Sequence, residues 1–199
     1  MRQWEQKHER VFSDPAFARK YARRHNRIGK SFGSKISEEL LFRGQNDGRL
    51  LDVGCGSGAT ILQIKKLLPN YDIKGLDLSE PLLDILRDKL NNQVPRSGIK
   101  VIKAAADAIP FEDNSFDSVL NINMAHIVKD PILMFREMLR VLNPGGFLYI
   151  ADLHRTWLGI FEKEINSSFN IKEVKELIAK ASLPKGKFSH DLLWWYYKT

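Results

Sequence analysis

Cysteine is close to absent from this chain: Cys55 is the one thiol among 199 residues. One thiol forms no internal disulfide and no multi-cysteine metal site, and it weakens readings that depend on paired thiols. Long hydrophobic runs are missing as well. The apolar stretches are short and interrupted by charges, so none reads as a membrane span, and the charged N-terminus lacks the apolar core of a secretory signal. These absences predict a cytoplasmic protein with no transmembrane segment. No linker or internal repeat is evident either. With 43% hydrophobic residues and a mean hydropathy of -0.31, the chain is long enough for one substantial core, and a single domain is expected.

A third absence is one of spacing. In the run LLDVGCGSG, Leu50 to Gly58, the glycines fall at positions 54, 56 and 58, which is G-x-G-x-G and lacks the G-x-G-x-x-G interval of a dinucleotide pyrophosphate site. Four strand-compatible residues, Leu50 to Val53, lead into this loop. Glycines there let the backbone turn sharply and approach a ligand. Asp52, two residues before the first glycine, disfavours phosphates and suits a cationic ligand. Further on, the apolar run Ile73 to Leu76 ends at Asp77, a carboxylate placed to accept hydrogen bonds from a ribose diol. Loop and acid together read as a nucleotide-type cofactor pocket.

From Arg49 to Tyr149 the chain resembles the class I S-adenosylmethionine-dependent methyltransferases. The resemblance rests on the glycine loop and on later segments in the family's order. Ser79 reads as the N-cap of a helix with Leu82, Leu83, Leu86 and Leu90 on one face. A strand follows at Ile99 to Lys103. Ala106 to Phe111 looks like the family's adenine-binding turn, and Phe116 to Leu120 like its fourth strand. Asp130-Pro131 opens a helix with Ile132, Phe135, Met138, Leu139 and Leu142 on its apolar face. Asn143-Pro144-Gly145-Gly146 stops that helix, and a strand begins at Phe147; the family pattern LxPGGxL is matched. The resemblance implies a Rossmann-like α/β fold, a three-layer α/β/α sandwich around a mostly parallel seven-stranded sheet with a C-terminal antiparallel strand. It divides the single domain into an N-terminal helical lid (1–48), a cofactor-binding core (49–152) and a C-terminal helix with closing strands (153–199).

It also implies S-adenosylmethionine as cofactor and S-adenosylhomocysteine as its product. Gly54 and Gly56 are then expected at the methionine and ribose regions, with Asp52 near the cationic end. Asp77 is expected on the ribose hydroxyls, Leu78 on the adenine face, and Asp107 and Ala108 at the adenine amine and ring nitrogen. Cys55, inside the loop, belongs to the same site as a packing residue and not as a nucleophile. The fourth strand delivers Asn121, Asn123 and His126 to the carboxyl edge, where open α/β sheets bind ligands. Asn123 is read as a cofactor contact and His126 as the first candidate base, a role it shares with a structural one. Asp152 and His154 are second candidates. Methyl transfer from a sulfonium is an in-line displacement, so the protein mainly positions the acceptor and excludes water.

The ends of the chain are read from periodicity. Asp14-Pro15 starts a helix in which Phe17, Tyr21, His25 and Ile28 share a face, and a second helix runs from Ile36 to Leu41. Tyr21, in the A-x-x-Y element from Ala18, either reaches the cofactor's methionine part or packs. Asn170 and Glu173 form a capping pair, and residues 187–191 and 192–198 form a closing strand pair. The run Trp194, Trp195, Tyr196, Tyr197 suits sheet packing. Trp157, Leu158, Ile160 and Phe161 either line an acceptor site or cover the sheet.

The net charge is +7, and residues 1–49 carry 12 Lys and Arg against 6 Asp and Glu. Such charge attracts nucleic acid or an anionic membrane, but a solvated helix face is the favoured reading. The expected partner is a small-molecule acceptor. An RNA or protein methyltransferase is the alternative, weakened by the lack of an N-P-P-Y motif and of a cysteine pair. A non-catalytic cofactor-binding regulatory protein is a third reading.

Overall fold

In the computed structural model, which describes residues 12–92, 98–156 and 163–199, the chain divides between Ala105 and Ala106 into two units. The first begins with helix α1, Pro15–Phe42, whose N-cap Asp14 accepts the N–H of Ala16 at 2.8 Å. Here the structure corrects the sequence reading: one helix of 28 residues replaces the expected two. Gly29 and Gly33 do not interrupt it; they let it press against helix α2, Ala59–Leu67. A Cβ on Gly29 would lie 2.6 Å from the Ala59 Cβ, and one on Gly33 would lie 2.7 Å from the Thr60 carbonyl oxygen.

The buried face of α1 is Ala18, Ala22, Phe32, Gly33, Ile36, Ser37 and Leu40, not the expected stripe of Phe17, Tyr21, His25 and Ile28. Small side chains bring two helices closest, so the bulky rings are left on the flank. There Tyr21 stacks on His25 with ring centroids 3.9 Å apart, and Ile28 is 40% exposed.

Strands β1, Gly48–Val53, β2, Tyr71–Asp77, and β3, Lys100–Lys103, follow. β1 and β2 are parallel, with Leu50 opposite Ile73, and β2 and β3 are parallel, with Asp77 opposite Lys103. Parallel neighbours need crossovers, which α2 and helix α3, Glu80–Asn91, supply. Leu50 to Val53 are buried, as expected of a parallel strand covered on both faces. Ser79 caps α3 by accepting the Leu82 N–H, and Leu82, Leu83 and Leu86 are buried beneath it, as the sequence predicts.

The second unit contains strand β4, Phe116–Ile122, helix α4, Pro131–Val141, strand β5, Leu142–Leu153, short helix α5, Lys163–Ser167, helix α6, Ile171–Lys180, and strands β6, Lys187–His190, and β7, Trp194–Lys198. Asp130 caps α4 through the Leu133 N–H at 2.9 Å. The buried residues of α4 are Pro131, Met134, Phe135, Met138 and Val141; the predicted Ile132 and Leu139 are half-buried on its edges.

β5 starts at Leu142, before the glycines, and not at Phe147. Phe116 pairs with Leu142 and Ser118 with Phe147, so Asn143 to Gly146 form a bulge inside the ladder. Gly145 takes φ +76°, and a Cβ on Gly146 would lie 2.9 Å from both the Asn143 and the Asp117 carbonyl oxygens. The Pro-Gly-Gly run therefore shapes a strand rather than separating a helix from one.

β6 and β7 pair antiparallel, and β7 pairs antiparallel with β5, as expected. The Asn170–Glu173 capping box is formed in both directions, at 2.8 and 3.0 Å. Trp195 and Tyr197 are buried, with Phe188 stacked on Trp195. Trp157, Leu158, Ile160 and Phe161 lie outside the described residues. The seven strands follow the order β3-β2-β1-β4-β5-β7-β6, the mostly parallel sheet with antiparallel closing strands that the sequence predicts. Among the described residues no helix is long and apolar enough to cross a membrane.

Candidate functional site

In the first unit the loop after β1 is held by the end of β2. The N–H groups of Gly54 and Cys55 donate to the Leu76 carbonyl at 2.8 and 3.0 Å, and the Gly56 N–H donates to Asp77 Oδ2 at 2.8 Å. Gly54, Gly56 and Gly58 take φ values of +85°, +51° and +79°, a region that L side chains rarely occupy. The nearest neighbour to a Cβ on Gly56 would be Leu82 Cδ1 at 3.9 Å, so this side of the loop is an open cradle. At Gly58 the opposite holds: the Leu86 side chain fills the space that a Cβ would need.

Asp77 spans the loop and the next helix. Its Oδ1 accepts the Ser79 N–H at 2.9 Å, and the Ser79 hydroxyl donates to the Phe12 carbonyl at 2.5 Å. Burial raises the Asp77 pKa, opposed by the N–H groups of Ser79, Gly56 and Leu78. Leu78 beside it is 52% exposed. Such an exposed apolar side chain next to a half-buried carboxylate offers a face for a flat ring.

Asp52 is buried at the end of β1. Loss of water, and then the neighbouring charge of Asp77, push its pKa from 3.8 to about 7. A positive charge nearby would reverse that shift. Without one, the neutral carboxyl favours the folded state fully below the ordinary value of 3.8, and this contribution is lost as pH rises to about 7. We therefore expect the melting temperature of the ligand-free protein to fall between about pH 4 and pH 7, and Asp52→Asn to remove that part of the slope. Equal slopes in scanning calorimetry would show that Asp52 does not titrate in this range.

Cys55 packs as the sequence suggests. A Cβ on Gly75 would lie 2.8 Å from the Cys55 sulfur, and burial with two neighbouring carboxylates pushes the thiol pKa well up. A protonated, enclosed thiol is no nucleophile. Tyr21 lies half-buried with Phe12 against Ala18, Ala22 and Leu82. Its packing role is thus visible.

The second unit holds the remaining predicted residues. Asp107 and Ala108 are exposed in a turn. That turn is braced by two residues the sequence reading did not single out, Glu137 and Arg140 of α4. Glu137 Oε2 accepts the Ile109 N–H at 2.9 Å. Arg140 donates to the Ile109 and Phe111 carbonyls and to Asp113 Oδ1, each at 2.8 Å. The two side chains bind each other through paired contacts of 2.8 Å, which lowers the Glu137 pKa and raises that of Arg140. Their i,i+3 spacing marks an ion pair on a helix; the loop they grip is distant in sequence.

Asn123 has φ +57° and donates its N–H to the Ala151 carbonyl at 2.8 Å. His126 and Asp152, first and second candidates for the base, meet. Asp152 Oδ1 lies 2.6 Å from His126 Nδ1, and Oδ2 accepts the His126 backbone N–H at 2.9 Å. Both side chains are buried. His154 is engaged elsewhere: its Nε2 lies 2.8 Å from the Asp191 carbonyl, which ties β5 to the β6–β7 connection.

This is the fold of the class I S-adenosylmethionine-dependent methyltransferases. A candidate S-adenosyl-L-methionine-dependent methyltransferase from Methanococcus maripaludis aligns with a TM-score of 0.76 over 92% of each chain at 20% identity. A SAM-dependent methyltransferase from Aquifex aeolicus aligns at 0.68, with 20% identity, over 81% of this chain and 87% of the other. Residues 51–150 match the methyltransferase domain family, and the chain belongs to that family. Among curated proteins it is similar to demethylmenaquinone methyltransferase of Staphylococcus aureus, with 30% identity over 159 residues. That match takes in 77% of this chain, which spans 63% of the relative's length.

Proposed function

We propose that this chain transfers a methyl group from S-adenosylmethionine to a small-molecule acceptor and releases S-adenosylhomocysteine. The observation that carries the reading is the Gly54–Gly58 loop, open at Gly56 and fastened by its N–H to Asp77 at 2.8 Å. This donor set fits the group. Asp77 retains acceptor capacity for a ribose diol, since the three backbone N–H groups of Gly56, Ser79 and Leu78 use only part of the roughly four lone-pair sites of a carboxylate. Leu78 would cover the adenine, and the carboxyl of Asp52 suits a cation where phosphate would be repelled. The roles read for Gly54, Tyr21, Asp107, Ala108 and Asn123 belong to the same proposal, as do the single-domain division and a cytoplasmic location.

When bound, the sulfonium supplies an activated methyl and leaves as a neutral thioether. The chain supplies position and a proton path. With His126 donating its Nδ1–H to Asp152 Oδ1, Nε2 is the nitrogen that would take a proton from the acceptor. A quinone-type ring is the acceptor class favoured, because the Staphylococcus aureus relative is named for one. Thermal unfolding beside added ligands tests the cofactor assignment. S-adenosylhomocysteine should raise the melting temperature and NAD should not, since only a ligand of the native state stabilises it. Stabilisation by NAD alone would overturn the reading.

A further inference from the structure

The acids of the N-terminal region are not spread along α1. Between Pro15 and Ser37 the chain has no Asp or Glu, and it has Arg19, Lys20, Arg23, Arg24, Arg27, Lys30 and Lys35. The helix buries Ala18, Ala22, Phe32, Gly33, Ile36 and Leu40 against its own unit, so the opposite face meets water. Lys20, Arg23, Arg27, Lys30 and Lys35 are all exposed there. At about 100° per residue, the first four fall within roughly 80° of arc. Arg19 stands apart, in a cleft with Glu80, Asp84 and Asp88 of α3. The ridge gains charge at Lys30, where Lys89 of α3 is close enough to repel it.

Past Lys35 the helix carries Glu38, exposed and in helical phase with Lys20, and Glu39, paired with Arg43 at 2.9 Å, and the face then ends in apolar side chains. Leu41 is 49% and Phe42 90% exposed. By helical phase Leu41 lies in line with Arg23, and Phe42 lies close to Lys35. From Lys20 to Phe42 the ridge is about 33 Å long. Phosphate backbones would account for the cations but not for an exposed Leu-Phe pair at their end. A leaflet with anionic headgroups above hydrocarbon accounts for both.

We propose that the solvent face of α1 docks this protein on an anionic lipid surface, with the Lys20–Lys35 cations on the headgroups and Leu41 and Phe42 at the acyl boundary. The inference does not depend on the methyl-transfer reading. Each cation near such a surface changes partition by about fivefold.

Sedimentation of the full chain with vesicles tests it. Phosphatidylcholine vesicles containing one-quarter phosphatidylglycerol should carry the protein down, pure phosphatidylcholine should not, and salt at about 0.5 M should release it. The R23E/R27E/K30E variant should bind at least tenfold more weakly than the parent, as about fivefold per cation implies. The single variant F42S should bind several-fold more weakly while keeping the salt dependence. Equal binding of parent and triple variant overturns the proposal. So does tRNA binding that is tighter than vesicle binding and indifferent to F42S, which would assign the ridge to nucleic acid.

Discussion

Replacing Asp77 by alanine should weaken binding of S-adenosylhomocysteine by about 1.5–3 kcal/mol, the range for hydrogen bonds to a charged group, or roughly 10- to 150-fold. Two losses combine. The ribose hydroxyls lose their acceptor, and the Gly56 N–H loses the carboxylate that holds the cradle. Burial already works against the charged form of Asp77, so the ligand-free fold depends on that charge less than the ligand does. Asp77→Asn, which keeps the shape and one acceptor oxygen, should fall between alanine and the parent. Calorimetric titration with S-adenosylhomocysteine measures the difference. An affinity for Asp77→Ala equal to the parent's would remove this carboxylate from the site and with it the main support for the proposed cofactor.

The largest effect on stability is expected at Asp152. Its carboxylate is fully buried, and it receives the His126 side chain at 2.6 Å and the His126 backbone N–H at 2.9 Å. Alanine there strands both donors in a place water does not reach. Breaking one side of a buried pair costs about 3–5 kcal/mol, a large part of the roughly 5–15 kcal/mol that holds a domain folded. Asp152→Asn keeps one acceptor oxygen and should cost distinctly less. Urea unfolding of the two variants would show the order. A loss below about 1 kcal/mol for Asp152→Ala would mean that the His126 contact is one the protein can replace cheaply. The same pairing explains why turnover and stability are not independent at His126. The residue proposed as a base is also one that the second unit is built around.

The local signals were readable because each depends on neighbours in the chain. Asp14, Ser79, Asp130 and Asn170 cap the helices that follow them, since a cap bonds N–H groups only two or three residues away. Gly54, Gly56 and Gly58 announce positive φ values by lacking a side chain. The errors arose where one residue type serves two purposes. Two helices were expected where one continuous helix runs, with Gly29 and Gly33 as its contact surface, and Gly145-Gly146 reads as a terminator although it forms a bulge. A glycine in a sequence says that a side chain is excluded; it does not say whether backbone conformation or an approaching helix excludes it. The Glu137–Arg140 brace was invisible for a related reason, because its partners at Ile109, Phe111 and Asp113 are 27 to 31 residues distant.

Short-range chemistry thus determined the family, the strand and helix sequence, the glycine loop and the acid that ends the second strand. Packing alone decided which face of α1 is buried, where Asp77 directs its two oxygens, that His126 meets Asp152, and that a cationic ridge is left in water. Caps, turns and periodicity act over a few residues, within the reach of covalent order. Helix faces and buried ion pairs are chosen by what lies across the core, and no window along the chain contains both sides of that contact.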